Sequence, residues 1–168
     1  MDQNIVLIGM MGSGKTTVGK LLAGCLHLHF VDTDALIEER EGRSIPDIFA
    51  MDGEEAFRAL ELNVSEELSG QRGLVIACGG GLPTQAAAIR ALKENGLAFW
   101  LDRDPGETYD SLNLSNRPLA RSGRSDFVQR YQGRVPIYRQ WSDHVIRAGS
   151  PQQAKALIAA ICAEVTQR

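Results

Sequence analysis

Gly9-Met10-Met11-Gly12-Ser13-Gly14-Lys15-Thr16 fits G-x-x-x-x-G-K-[ST], and its flanks supply the setting this pattern needs. Asn4-Ile5-Val6-Leu7-Ile8 before it is almost wholly apolar and reads as a buried strand. Thr17-Val18-Gly19-Lys20-Leu21-Leu22-Ala23 after it reads as a helix. Glycines let the loop fold tightly with its N–H groups turned inward, and the helix start adds further N–H groups and a partial positive charge. An anion belongs there. Gly12, Ser13, Gly14, Lys15, Thr16 and Thr17 are the candidate nucleotide-binding residues. Lys15 can reach the terminal phosphates of a nucleoside triphosphate, and the Thr16 hydroxyl can ligate the accompanying Mg²⁺.

Outward from the loop, the chain alternates strand and helix patterns, which predicts a three-layer α/β/α fold around a parallel sheet. The five strand candidates are 4–8, 28–32, 73–77, 97–101 and 143–147. Leu74-Val75-Ile76-Ala77 and Leu97-Ala98-Phe99-Trp100-Leu101 are continuous apolar runs, as expected of strands covered on both faces. Ser44, Asp52, Asp104 and Ser150 read as N-caps, each followed three residues later by Asp47, Glu55, Glu107 or Gln153. Pro105 and Pro151 take the first helical position after two of them. Residues 115–126 form the one long polar stretch and read as a lid over the site.

The bulk properties exclude more than they identify. With 168 residues, 43% hydrophobic and 23% charged, the chain is sized for one domain, 1–168. A net charge of −3 gives no support for nucleic-acid binding. No apolar run has membrane length and no leader precedes the first strand, so a cytoplasmic protein is expected. Cys25, Cys78 and Cys162 lack metal or redox spacing and read as reduced core or near-core thiols. His27 and His29, two apart, read as surface residues rather than as a metal pair. Residues 103–147 carry eight arginines and no lysine, a bias that suits phosphate and carboxylate; a solvated helix face is expected to take about half of them, Arg103 and Arg147 included.

Three further constellations carry chemistry. Val31-Asp32-Thr33-Asp34 ends the second strand, where a parallel sheet presents its ligand crevice. One carboxylate can hold Mg²⁺ and the other can orient or deprotonate a hydroxyl, although both could simply cap a helix over 34–41. In the helix after Asp52, Phe57, Leu60, Val64 and Leu68 form a core stripe, with Arg58 beside it between Glu54 and Glu61. A guanidinium so held suits a substrate carboxylate, and a plain surface ion pair is the competing reading. Cys78-Gly79-Gly80-Gly81 follows the third strand and lets a ligand lie on the backbone, or makes a left-handed turn.

Taken in order and spacing, these motifs resemble the shikimate kinases. The likeness runs from Ile5 to about Arg147 and includes Asp32-x-Asp34, Phe57-Arg58-x-x-Glu61, Gly79-Gly80-Gly81, Arg117-Pro118-Leu119 and Arg134-x-Pro136-x-Tyr138. It implies a P-loop kinase fold with a five-stranded parallel sheet, similar to nucleoside monophosphate kinases. It implies phosphorylation of the 3-hydroxyl of shikimate by ATP with Mg²⁺, toward chorismate and the aromatic amino acids. Lys15, Asp34 and Arg117 would be catalytic, with Asp34 the candidate base and Arg117, in a lid over about 112–125, stabilising charge on the transferred group. Thr16 and Asp32 would hold the metal. A shikimate-binding region over about 33–61 would include Asp34, Arg58 and Glu61, with Ile45, Phe49 and Phe57 as the apolar wall. Arg134 would share the carboxylate with Arg58, Gly79, Gly80 and Gly81 would pack against the ring, and Pro151 would contact adenine. The implied enzyme is a cytoplasmic monomer without nucleic-acid or membrane partners. Cys78 departs from the family's usual small hydroxyl residue, Ala120 from a leucine, and Asp110 from a basic residue near adenine. A gluconate-kinase-like enzyme and a non-catalytic nucleotide-binding relative are the alternatives.

Overall fold

The computed structural model describes residues 3–112 and 123–166. Among these, β1 (Asn4–Ile8), β2 (His29–Asp32), β3 (Leu74–Ala77), β4 (Gly96–Leu101) and β5 (His144–Ile146) form one sheet in the order β2-β3-β1-β4-β5. Every pairing is parallel. The helices are α1 (Lys15–Leu26), α2 (Thr33–Glu41), α3 (Ile45–Ser69), α4 (Ala86–Glu94), α5 (Pro105–Asp110), α6 (Arg124–Trp141) and α7 (Pro151–Thr166). A short 3₁₀ turn, Leu82–Thr84, leads into α4.

Side chains alternate across a strand, so β1 feeds two cores. Ile5 and Leu7 join Val18 and Leu22 of α1 and Ile158 of α7 on one face. Val6 and Ile8 join Val64 and Leu68 of α3, Ile89 of α4 and Tyr138 of α6 on the other. This is why β1 and β3 are buried at every position and read as unbroken apolar runs. The layers also fix the site. In the order β2-β3-β1, the loops leaving β1, β2 and β3 emerge side by side at one edge, and the crossover from β1 to β2 passes over β3.

Three helix caps form as expected. Ser44 Oγ accepts from Asp47 N, Asp104 Oδ1 from Glu107 N, and Ser150 Oγ from Gln153 N. Asp52 does not cap. Gly53 (φ 85°, ψ 174°) breaks α3 into two arms at that point, and the Asp52 carboxylate pairs instead with Arg43 at 2.5 Å. A backbone in that region is open only to glycine, so the break is set by Gly53 rather than by a side-chain cap. Cys25 is exposed on α1, unlike buried Cys78 and Cys162, because the core face of α1 is taken by Val18, Leu22 and Ala23. His27 adopts a left-handed conformation (φ 55°, ψ 43°) and ends α1, so the His27/His29 pair has no strand geometry. Arg103 and Arg147 lie outside any helix, just after β4 and β5. No helix among the described residues is long and apolar enough to cross a membrane.

Candidate active site

The loop between β1 and α1 has the shape its glycines demand. Gly9, Gly12 and Gly14 have φ of 144°, 77° and 96°, conformations that L side chains rarely adopt. Gly14 opens α1 with no side-chain cap, so the first N–H groups of the helix remain available to an anion. Ser13 Oγ is buried without a hydrogen-bond partner among the described residues, and Lys15 Nζ donates to the carbonyls of Gly9 and Met10, both at 2.8 Å. The lysine therefore lies folded along its own loop, within reach of a phosphate that would replace those carbonyls. Beside Ser13 and Gly14 opens a pocket lined by Val18, Arg103, Gly149 and Pro151. This places Pro151 at the donor end. Thr17 is exposed on the first turn of α1.

Asp32 serves both readings at once. Its Oδ1 accepts from the backbone N–H of Asp34 and Ala35, capping α2, while Oδ2 accepts from the Thr16 hydroxyl at 2.8 Å. The cap starts α2 one residue earlier than the spacing suggested, at Thr33. Thr16 and Asp32 thus form a small hard-oxygen set next to the phosphate loop. This set fits Mg²⁺, which keeps waters and phosphate oxygens as its other ligands. No cluster of three or more His, Cys, Asp or Glu that could hold a metal occurs among the described residues.

Asp34 lies against Gly79. Its Oδ1 is buried and finds no partner among the described residues. Burial first, then the negative charges of Asp32 and Glu61, raise its pKa from 3.8 to about 6, with Lys15 opposing. Thr33, between the two carboxylates, is fully buried and its hydroxyl accepts from Gly79 N at 2.9 Å. That bond pins the start of α2 to the glycine stretch.

Gly79, Gly80 and Gly81 are needed for space, not for φ, since none has positive φ. A β-carbon on Gly79 would run into the Asp34 carboxylate. One on Gly80 would stand 3.2 Å from Met11 N and 3.7 Å from Arg134 Nη1, and one on Gly81 would stand 3.0 Å from Arg58 Nη1. Three consecutive residues therefore touch the candidate base, the phosphate loop and both candidate carboxylate-binding arginines. The left-handed-turn reading is excluded. Cys78, at the root of the stretch, is a buried thiol whose pKa is pushed far up by burial, so it is inert.

Arg58 is held as its spacing predicts. Its Nε and Nη2 donate to Glu54 and its Nη1 donates to Glu61 at 2.5 Å. Glu61 is 1% exposed, and burial raises its pKa while Arg58, Gln85 and Arg134 oppose that rise. On the other side, Arg134 Nη1 donates to Gly80 O at 3.2 Å. Tyr138, one helical turn on, donates to the same oxygen at 2.8 Å. Because Gly80 and Gly81 are neighbours, the two guanidinium groups lie within roughly 10 Å of each other. The Phe49 and Phe57 rings meet across the break in α3 with centroids 4.8 Å apart and planes tilted by 39°, and Ile45 and Phe49 remain half-buried.

Arg117 and most of the stretch about 112–125 lie outside the described residues. Asp110 pairs with Arg124 at the start of α6. Thr33, Gln85 and Tyr138 are the residues that sequence reasoning left without a role. Tyr138 stood within a quoted motif, but nothing local pointed to the other two.

The phosphate-loop geometry thus stands beside a group made of Asp34, Arg58, Arg134 and three glycines, and comparison with known proteins says which family combines them. The shikimate kinase family model matches residues 11–167. The shikimate kinase of Persephonella marina is 41% identical over 90% of this chain and 93% of its own length. Among solved structures, shikimate kinase from Acinetobacter baumannii in complex with shikimate superposes with a TM-score of 0.87 at 34% identity, covering 98% of this chain and 93% of that one. The Aquifex aeolicus enzyme gives 0.83 at 32% identity, covering 96% and 98%. The sheet and the phosphate loop thus belong to one fold, that of the P-loop kinases. The chain belongs to the shikimate kinase family.

Proposed function

We infer that the chain phosphorylates the 3-hydroxyl of shikimate with ATP, serving aromatic amino-acid biosynthesis, and that its own residues divide the work as follows. Lys15, Ser13 and the N–H groups of Gly12–Thr17 hold the phosphates, and the base lies toward Pro151. Arg58 and Arg134 receive the carboxylate of shikimate, while Ile45, Phe49 and Phe57 cover the apolar side of its ring. The glycine stretch lets the ring approach the backbone. Asp34 accepts a hydrogen bond from the 3-hydroxyl. As the hydroxyl oxygen bonds to the γ-phosphorus, the bond to the β-phosphate oxygen breaks and ADP leaves. The hydroxyl proton passes to Asp34, whose raised pKa makes it a better acceptor than an ordinary carboxylate yet leaves it ionised at neutral pH. Mg²⁺, held by Thr16 and Asp32, would neutralise phosphate charge when bound. Arg117 is proposed to add positive charge from the segment about 112–125. Positioning and charge compensation are what phosphoryl transfer needs from a protein.

The observation that carries this reading is the Asp34 Oδ1, buried beside Gly79 and without a partner among the described residues. A coupled ADP-release assay with shikimate, gluconate and AMP tests it. Release with shikimate alone is expected. Release with gluconate or AMP but not shikimate would overturn it, and ATP binding without release would favour a non-catalytic relative. We further propose a cytoplasmic monomer without nucleic-acid or membrane partners. A mass of one chain in light scattering supports the monomer; a dimer mass removes it.

A further inference from the structure

Gln85 follows the 3₁₀ turn that ends the glycine stretch and stands at the start of α4, yet its side chain caps nothing there. Instead its Nε2 donates to Glu61 Oε2 at 2.7 Å, across 24 positions of sequence. The same oxygen receives Arg58 Nη1. An ionised carboxylate only accepts, so the amide must present its NH₂ side. We propose that Gln85 is a positioning residue for recognition of the substrate carboxylate, acting through Glu61 to hold the Arg58 guanidinium in its binding orientation. The proposal rests on the reading that Arg58 binds that carboxylate.

Glu61 and the substrate carboxylate compete for the same donors. A carboxylate as buried as Glu61 needs more than one donor, and an arginine left as its main partner turns to satisfy it. Among the described residues, each of the three guanidinium nitrogens of Arg58 makes one bond to Glu54 or Glu61. One N–H on each terminal nitrogen is left for a ligand. Gln85 supplies Glu61 with a second donor, so those two N–H groups need not be drawn inward. The other tether, Glu54, is 68% exposed and too weak to hold a long side chain by itself. The placement of Gln85 also ties this orientation to the glycine stretch, since the 3₁₀ turn closes through Thr84 N to Gly81 O and Gln85 N to Leu82 O.

The test is steady-state kinetics of Gln85→Met, which keeps length and removes the donor, with shikimate and with its neutral carboxamide analogue. For shikimate, KM is expected to rise about 5- to 30-fold, with kcat and the ATP KM within about twofold, as loss of one charge-assisted bond predicts. For the carboxamide, KM should not change further. Equal rises for both acceptors, or no rise for shikimate, would overturn the proposal. Gln85→Lys restores a donor and is expected to recover most of the loss; no recovery overturns it as well. Arg58→Ala is measured alongside. If that substitution raises KM equally for the acid and the amide, the carboxylate assignment itself is wrong, a result distinct from a failure of Gln85 alone.

Discussion

Asp34 gains its use from an arrangement that costs stability. Its carboxyl is protonated more readily in the folded chain (about 6) than in the unfolded one (3.8), so the folded state binds more protons between those values. Stability of the free protein therefore falls as pH rises from about 4 to about 6, and the whole penalty, up to about 3 kcal/mol, stands at neutral pH. Asp34→Asn removes it. With ATP and Mg²⁺ withheld, that variant is expected to melt higher than the parent at pH 7.5 and about equally at pH 4, by calorimetry. Its kcat should fall about 10²- to 10⁴-fold, the usual worth of a positioned base. The parent's kcat/KM for shikimate should drop below an apparent pKa of about 6; a flat profile down to pH 5 would contradict Asp34 as the proton acceptor. Arg58 belongs to the same scale but to binding. Arg58→Ala should raise the shikimate KM about 10- to 100-fold, from a charge-assisted bond of about 1.5–3 kcal/mol, and leave the ATP KM nearly unchanged. Equal effects on both constants would mean the arginine serves the fold.

At the scale of elements, two glycine features do different work and should fail differently. Gly79 has ordinary φ but no room, because its side chain would occupy the space of the Asp34 carboxylate. Gly79→Ala is therefore expected to cut kcat at least tenfold by displacing the base, with the melting temperature lowered only modestly; an unchanged kcat would mean the carboxylate moves freely. Gly53 is the reverse case, with open space around it and a backbone that only glycine adopts. Gly53→Ala should cost about 1–3 kcal/mol in denaturant unfolding. The phosphate loop, the Asp32 cap, the Arg58 tethers and three of four helix caps were legible because each depends on neighbours within a few residues. The Asp52 cap was misread for an instructive reason. A nearby arginine took the carboxylate while the adjacent glycine broke the helix, and spacing alone does not rank those outcomes.

At the scale of the molecule, legibility follows sequence separation. Alternating strand and helix patterns are enough to predict a parallel sheet, and the structure has one, with five of the ten strand ends shifted by one residue. What periodicity does not contain is which loop touches which across the sheet edge. Thr33 to Gly79 spans 46 positions, Gln85 to Glu61 spans 24, and Tyr138 to Gly80 spans 58. The first exists because the order β2-β3-β1 sets the loops after β2 and β3 side by side, and the other two because α3 and α6 pack beside the turn and helix that follow β3, so each had to await the topology. With the roles proposed above, that same order would separate the two ligands in space. The donor loop follows β1 and ends at the pocket lined by Pro151, whereas the acceptor residues follow β2 and β3 and return on α6. Hydrogen exchange should resolve this division, because a ligand raises protection where it removes local openings. Shikimate alone is expected to slow exchange over 45–58 and 79–85, while ATP with Mg²⁺ slows it over 9–18 and 149–154. Shared protection at Gly80 is expected with either ligand, since that residue touches both the phosphate loop and Arg134. If shikimate instead protected the same segments as ATP and left 45–58 unchanged, the acceptor cleft would lie elsewhere on the sheet edge, and the roles of Arg58 and Gln85 would fall with it.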